Sequence, residues 1–167
     1  GILEDISKTK VRLKGNLAQN KDKIRKIAGS DFEVIWGILQ QAQDLLDMFA
    51  AYGIKVIVGF RPGVDNMTEY VTQHMNHPAI LMWKVGNEEN YRPENYENNV
   101  ANWYTKLEET ATAIKKIDKN HQVTTANWKV PEKQFVEKTP SVDVWGINAY
   151  EYDDLTAVFK AWKGISN

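Results

Sequence analysis

The spacing of apolar positions changes character along this chain. Up to Gly29, Ile2, Ile6, Val11, Leu13, Leu17, Ile24 and Ile27 keep no long clean period, so the segment reads as charged helix or loop. Lys8, Lys10, Arg12 and Lys14 alternate against Val11 and Leu13, which makes a short edge strand a competing reading. From Ser30 the period becomes helical. Val34, Ile35, Ile38, Leu39, Ala42, Leu45, Leu46 and Phe49 recur on one face up to Tyr52. Ser30 and Glu33 have the S-x-x-E spacing of a capping box, and Gly53 follows as a stop signal.

Beyond Gly53, short apolar runs alternate with helical patterns. Ile54–Phe60 is β-branched and is broken by Arg61-Pro62-Gly63, so it reads as a buried strand. A short helix is expected over Met67–Met75 and a second buried strand over Ile80–Val85. Pro93 sits where a first helical turn tolerates proline. The helix after it carries Val100, Trp103, Leu107, Ala111, Ile114 and Ile117 along one stripe. Gln122–Ala126 and Val142–Ile147 supply two further strands, with short helices expected near Pro131–Glu137 and Asp154–Trp162. Four strands, each followed by a helix, predict an α/β domain with a parallel sheet.

The 167 residues suit one domain, 1–167, and 43% hydrophobic residues suffice for a core. No window approaches the ~18–20 apolar residues of a membrane span, so no membrane is expected as partner. The net charge of −1 gives no overall reason to expect nucleic acid. Residues 1–29 hold eight Lys or Arg against three Asp or Glu, a net of +5 that leaves −6 for the rest. That basic end lacks interleaved aromatics and reads as a solvated face. With no cysteine, disulfides, thiol nucleophiles and Cys-ligated zinc are excluded, though the compartment stays open. The chain starts at Gly1 without a recognisable signal peptide, as expected of a soluble chain with a processed or engineered start.

In a parallel α/β sheet, ligand sites form at the loops after the C-terminal strand ends. Here those loops hold Arg61, then Asn87-Glu88-Glu89-Asn90, then Asn127-Trp128, then Asn148-Ala149-Tyr150-Glu151. The set is rich in carboxylates, amides and aromatics, with no Ser-His pair or Gly-rich phosphate loop. Such a set suits a sugar, whose apolar faces pack on aromatic rings while amides and acids bond its hydroxyls. No cofactor and no metal is called for. His74 and His77 are three apart on one expected helical face, but two ligands without a third make a poor metal site, so helix-end and strand-entry roles are expected. His121 reads as a turn residue. Trp36, Trp83, Trp103, Trp145 and Trp162 fall on faces that helices and strands would bury, whereas Trp128 is at the predicted rim.

The segment from Asn76 to Glu88 (NHPAILMWKVGNE) resembles the fourth-strand signature of the retaining (β/α)8-barrel glycoside hydrolases, especially the β-galactosidase and β-glucuronidase family. Asp143–Tyr150 (DVWGINAY) is similar to the sixth strand of the same enzymes. The resemblance implies that residues 54–163 correspond to strands three to six. The fold it implies is a partial, half TIM-barrel-like parallel sheet of about four strands with flanking helices, preceded by a mainly helical segment over 1–53. It also implies that Glu88 is the general acid/base and Asn87 the residue bonding the sugar 2-hydroxyl, with Trp128, Asn148 and Tyr150 as substrate-binding candidates. A strand-end carboxylic acid in a partly enclosed site suits proton donation near neutral pH.

A retaining mechanism needs a second carboxylate ~5 Å away as nucleophile. In the resembling enzymes it is a glutamate ending the seventh strand, and this chain ends at Asn167, where that strand is expected to begin. Glu89, Glu151, Asp153 and Asp154 are the rim acids that could stand in, although none occupies a matching position. Two functions are therefore expected. One is a glycoside hydrolase-like protein with Glu88 as its acid/base. The other is a non-catalytic or engineered half-barrel module that binds carbohydrate, a small oligosaccharide or glycoside, or self-associates as a homodimer that covers the open sheet. Glu108 and Glu109 read as ordinary helix-surface charges.

Overall fold

A computed structural model describes residues 32–34, 42–63, 66–150, 152 and 154–165. The readings of residues 1–31 fall outside these. The chain divides into two compact units, Gly1–Val58 with Asn76–Leu81 and Gly59–Met75 with Met82–Asn167. In hydrogen-bonded order the strands follow one another as they do in sequence.

In the first unit, β1 (Phe32–Val34) runs parallel to β2 (Val56–Phe60), with Phe32 opposite Val56 and Val34 opposite Val58. The expected helix from Ser30 to Tyr52 is thus corrected, since Glu33 lies inside a strand rather than in a first helical turn. Phe-Glu-Val alternates apolar and polar residues as well as it fits a helix, and a parallel partner decides between the two. β1 adds a fifth strand to the four expected. Helix α1 (Ala42–Ala51) lies within that segment, burying Leu46 and Phe49. Its end is a Schellman closure: Gly53, at φ +68°, donates to Ala50 O at 3.0 Å, and Ile54 donates to Phe49 O at 2.8 Å. His77 sits at the entry to β3 (Ile80–Val85). Its Nδ1 accepts the Ala79 N–H at 3.1 Å, so its proton is on Nε2 and goes to Asp47 Oδ1 at 2.9 Å.

The second unit holds the end of β2, α2 (Met67–His74), most of β3, α3 (Val100–Ile117), β4 (Gln122–Asn127), α4 (Lys133–Glu137), β5 (Val144–Ile147) and α5 (Leu155–Lys163). Pro93 opens a short 3-10 turn, Pro93–Tyr96, ahead of α3 rather than α3 itself. β3, β4 and β5 pair in parallel, with Trp83 opposite Val123 and Thr125 opposite Trp145. Helix α3 starts on the Asn99 side chain, which accepts the Ala101 N–H at 3.0 Å. Its stripe of Trp103, Tyr104, Leu107, Ala111 and Ile114 is buried. Trp83 is fully buried against Phe60 and Tyr70, and its indole N–H donates to Asp118 Oδ2 at 2.7 Å. Burial pushes the Asp118 carboxyl up, but the hydrogen bonds from Trp83, Asn120 and His121 outweigh it and hold it below the usual carboxylate range. His121 belongs to this turn, as expected, with Nδ1 2.7 Å from Asp118 Oδ2. Glu108 is more than a surface charge: it accepts the Ser141 N–H at 3.0 Å and the Ser141 hydroxyl at 2.7 Å, tying α3 to the loop before β5. The signal for that tie lies 33 residues away and is invisible to helical periodicity.

Candidate functional site

The end of β3 is built to turn sharply. Gly86 has φ +68°, and a Cβ there would fall 2.5 Å from Trp103 Cη2, so both backbone and space require glycine. Its N–H continues the ladder to Phe60 O at 2.9 Å. Glu88 is left-handed as well, at φ 59° and ψ 26°, which costs a non-glycine residue roughly 1–2 kcal/mol. The bond from Glu88 N–H to Ala126 O, at 2.7 Å, holds that conformation against β4.

The Glu88 side chain then meets β5's following loop. Asn148 Nδ2 donates to Glu88 Oε1, while the Asn148 backbone N–H bonds Asn127 O at 2.8 Å. β5 can lie this close to β4 because residue 146 is glycine; a Cβ there would sit 2.9 Å from Thr125 O. Asn87 Oδ1 accepts from Lys84 Nζ at 3.4 Å. Burial pushes Lys84 down to about 8, and the Glu88 carboxylate offsets part of that by favouring the ammonium.

Aromatic side chains form the adjoining rim. Trp128 stacks on Tyr91 at 4.5 Å and 21°, and meets Tyr150 at 4.8 Å and 43°. Tyr91 and Tyr150 are 60% and 62% exposed, whereas Trp128 is half-buried between rings. The loops are pinned beneath them: Asn90 Oδ1 accepts the Trp128 N–H at 2.9 Å, and the Tyr152 hydroxyl accepts the Val130 N–H at 3.2 Å. Tyr91 was not a sequence candidate. Its position three residues beyond Glu88 became meaningful only once a short 3-10 turn brought it to Trp128.

The structure thus joins Glu88 to Asn148, and Trp128 to Tyr150, and places Asn87 over Lys84. Asn127 lies beneath the loops, fully buried, with its amide donating to Tyr104 OH at 3.2 Å. Arg61 instead lines a separate cleft of about 270 Å³ with Asn66, Thr68, Lys106 and Glu109. Two of the four rim acids have structural partners. Glu89 Oε2 accepts the Tyr96 hydroxyl at 3.1 Å, and Asp154 Oδ1 caps α5 by accepting the Ala157 N–H at 3.0 Å. Glu151 and Asp153 are outside the described residues. Of the tryptophans expected to be covered, Trp83 and Trp103 are fully buried, Trp145 and Trp162 are half-buried, and Trp36 is outside the described residues. No cluster of His, Asp and Glu able to hold a metal occurs among the described residues.

The family model described as glycosyl hydrolases family 2, TIM barrel domain, matches residues 61–162. The chain belongs to this family. The family 2 segment is therefore glycoside hydrolase-like, and its parallel strands with flanking helices are part of a TIM barrel. Solved structures agree on the fold. A calcium-binding mutant of Bacteroides uniformis β-glucuronidase 2 superposes with a TM-score of 0.61 at 19% identity, covering 91% of this chain and 21% of that one. Bacteroides uniformis β-glucuronidase gives 0.59 at 18%, covering 87% and 20%. Parabacteroides merdae β-glucuronidase gives 0.52 at 18%, covering 86% and 19%. This chain spans about a fifth of the length of each. No curated protein matches it. Among the described residues no helix is long and apolar enough to cross a membrane.

Proposed function

We propose that this family 2 segment carries the proton-transfer half of a retaining glycosidase site acting on a β-glycoside. Glu88 is its acid/base and Asn87 bonds the sugar 2-hydroxyl. The carrying observation is the left-handed Glu88, held from β4 by its backbone and from the β5 loop by Asn148. Strained backbone maintained by two neighbouring strands is a recurrent mark of functional residues. Glu88 would protonate the departing glycosidic oxygen while a second carboxylate, supplied from elsewhere in the barrel, bonds the anomeric carbon, and would then take the proton of the water that displaces that carboxylate. Asn148 occupies Oε1 with an N–H, so the transferable proton belongs on Oε2. This shifts Asn148 from substrate contact to support of the acid. The exposed rings of Tyr91 and Tyr150 offer apolar faces for the sugar or its aglycone, with Trp128 behind them.

Hydrolysis of a panel of p-nitrophenyl β-glycosides, including the glucuronide, tests the reading. Glu88→Gln is expected to lower the rate by about 10²–10⁴-fold. Unchanged hydrolysis in that variant would overturn the assignment of Glu88.

A second reading is a carbohydrate-binding module that works without turnover, alone or as a homodimer. It is favoured by Glu89 and Asp154, whose bonds to Tyr96 and to the start of α5 commit them elsewhere than to a nucleophile's task. In that case the panel gives binding without hydrolysis, and light scattering decides between monomer and dimer.

A further inference from the structure

A lysine in the middle of a buried strand is a physical anomaly. Lys84 is 3% exposed, and its neighbours in β3, Trp83 and Val85, are fully buried on the opposite face. Its stem passes β2 at Gly59, where an added methyl would sit 3.5 Å from Lys84 Cε. Its head reaches the strand end, with Nζ bonded to Asn87 Oδ1 and within the field of Glu88.

Taking an ammonium out of water is costly, and a methionine of similar length would fill the same space without that penalty. What a methionine could not do is act on the two residues above it. An amide has one acceptor end and one donor end, so fixing the oxygen decides what the other end presents.

We propose that Lys84 is a positioning residue of this site: it takes the Asn87 amide oxygen, turns the amide NH2 toward the ligand as a donor, and sets a positive charge beside Glu88. The inference rests on the assignment of Asn87 and Glu88 as sugar-contacting residues. It gives Asn87 a polarity, in that the group it recognises must be an acceptor, such as a hydroxyl oxygen.

The test compares the 15N-labelled chain with Lys84→Met. The side-chain amide signals of Asn87 are assigned by their loss in Asn87→Asp, and urea unfolding is measured in parallel. Lys84→Met is expected to move the Asn87 amide pair and to raise the urea midpoint. An Asn87 pair at unchanged shifts overturns the inference. So does a Lys84→Met chain that is less stable or unfolded, because Lys84 would then be a structural residue. Binding of the p-nitrophenyl β-glycosides to the wild-type chain and to Asn87→Ala is recorded separately. Equal binding by these two removes the sugar role of Asn87, while the amide signals and the midpoint still decide what Lys84 does.

Discussion

Gly86 and Glu88 stand two residues apart with φ of +68° and 59°, for opposite reasons. Gly86 is left-handed because nothing else fits under Trp103, and Glu88 is left-handed despite having a side chain. Gly86→Ala should therefore destabilise the fold by about 2–4 kcal/mol, from overpacking plus backbone strain, as read from urea unfolding. Lys84 gives a pH signature. Its folded value, about 8, lies below the ordinary 10.5, so the unfolded chain binds the proton more readily. The penalty is full below pH 8 and is relieved as pH rises toward 10.5. Stability should climb across that window by about 3 kcal/mol from this group, and Lys84→Met should remove the climb from urea midpoints at pH 7, 9 and 10.5. The proposed acid Glu88 and its neighbour Asn87 were read from the motif that ends in them. The role of Lys84 was not, because a lysine inside an apolar run carries no label for what lies above it.

At the scale of elements, the strands from residue 56 onward lie where composition and breakers put them, since β-branched runs bounded by Gly and Pro have few other uses. Two helix starts follow side-chain caps, Asn99 at α3 and Asp154 at α5. Asp154 accepts the Ala157 N–H, and Asp154→Ala should lower the urea midpoint, with α5 fraying from its first turn. The failure of local reading came at Phe32–Val34, whose three residues satisfy two periodicities at once. A strand so short is stabilised by its partner's backbone groups, and the partner, Val56–Val58, is 24 residues away.

For the whole molecule, family 2 membership and the glucuronidase superpositions agree on part of a TIM barrel, about a fifth of those chains in length. Helix α5 exposes Leu155 and Phe159 at 63% and 69% while burying Val158. Changing both exposed residues to Gln should change the unfolding free energy of the monomer, read from urea titration, by less than about 0.5 kcal/mol, since neither fills a core. A larger loss would show that they are covered in solution. The sequence by itself determined the alternation of strand and helix, the acid at the end of β3 and the sugar-like chemistry of the loops, because periodicity and motif are local. Only the tertiary structure decided that Asn148 holds Glu88, that Trp128 is flanked by rings, that Arg61 lines another cleft and that Lys84 lies under the site. Each of these is a contact between strands or loops far apart in the chain, and no local pattern encodes which side chains a sheet will bring together.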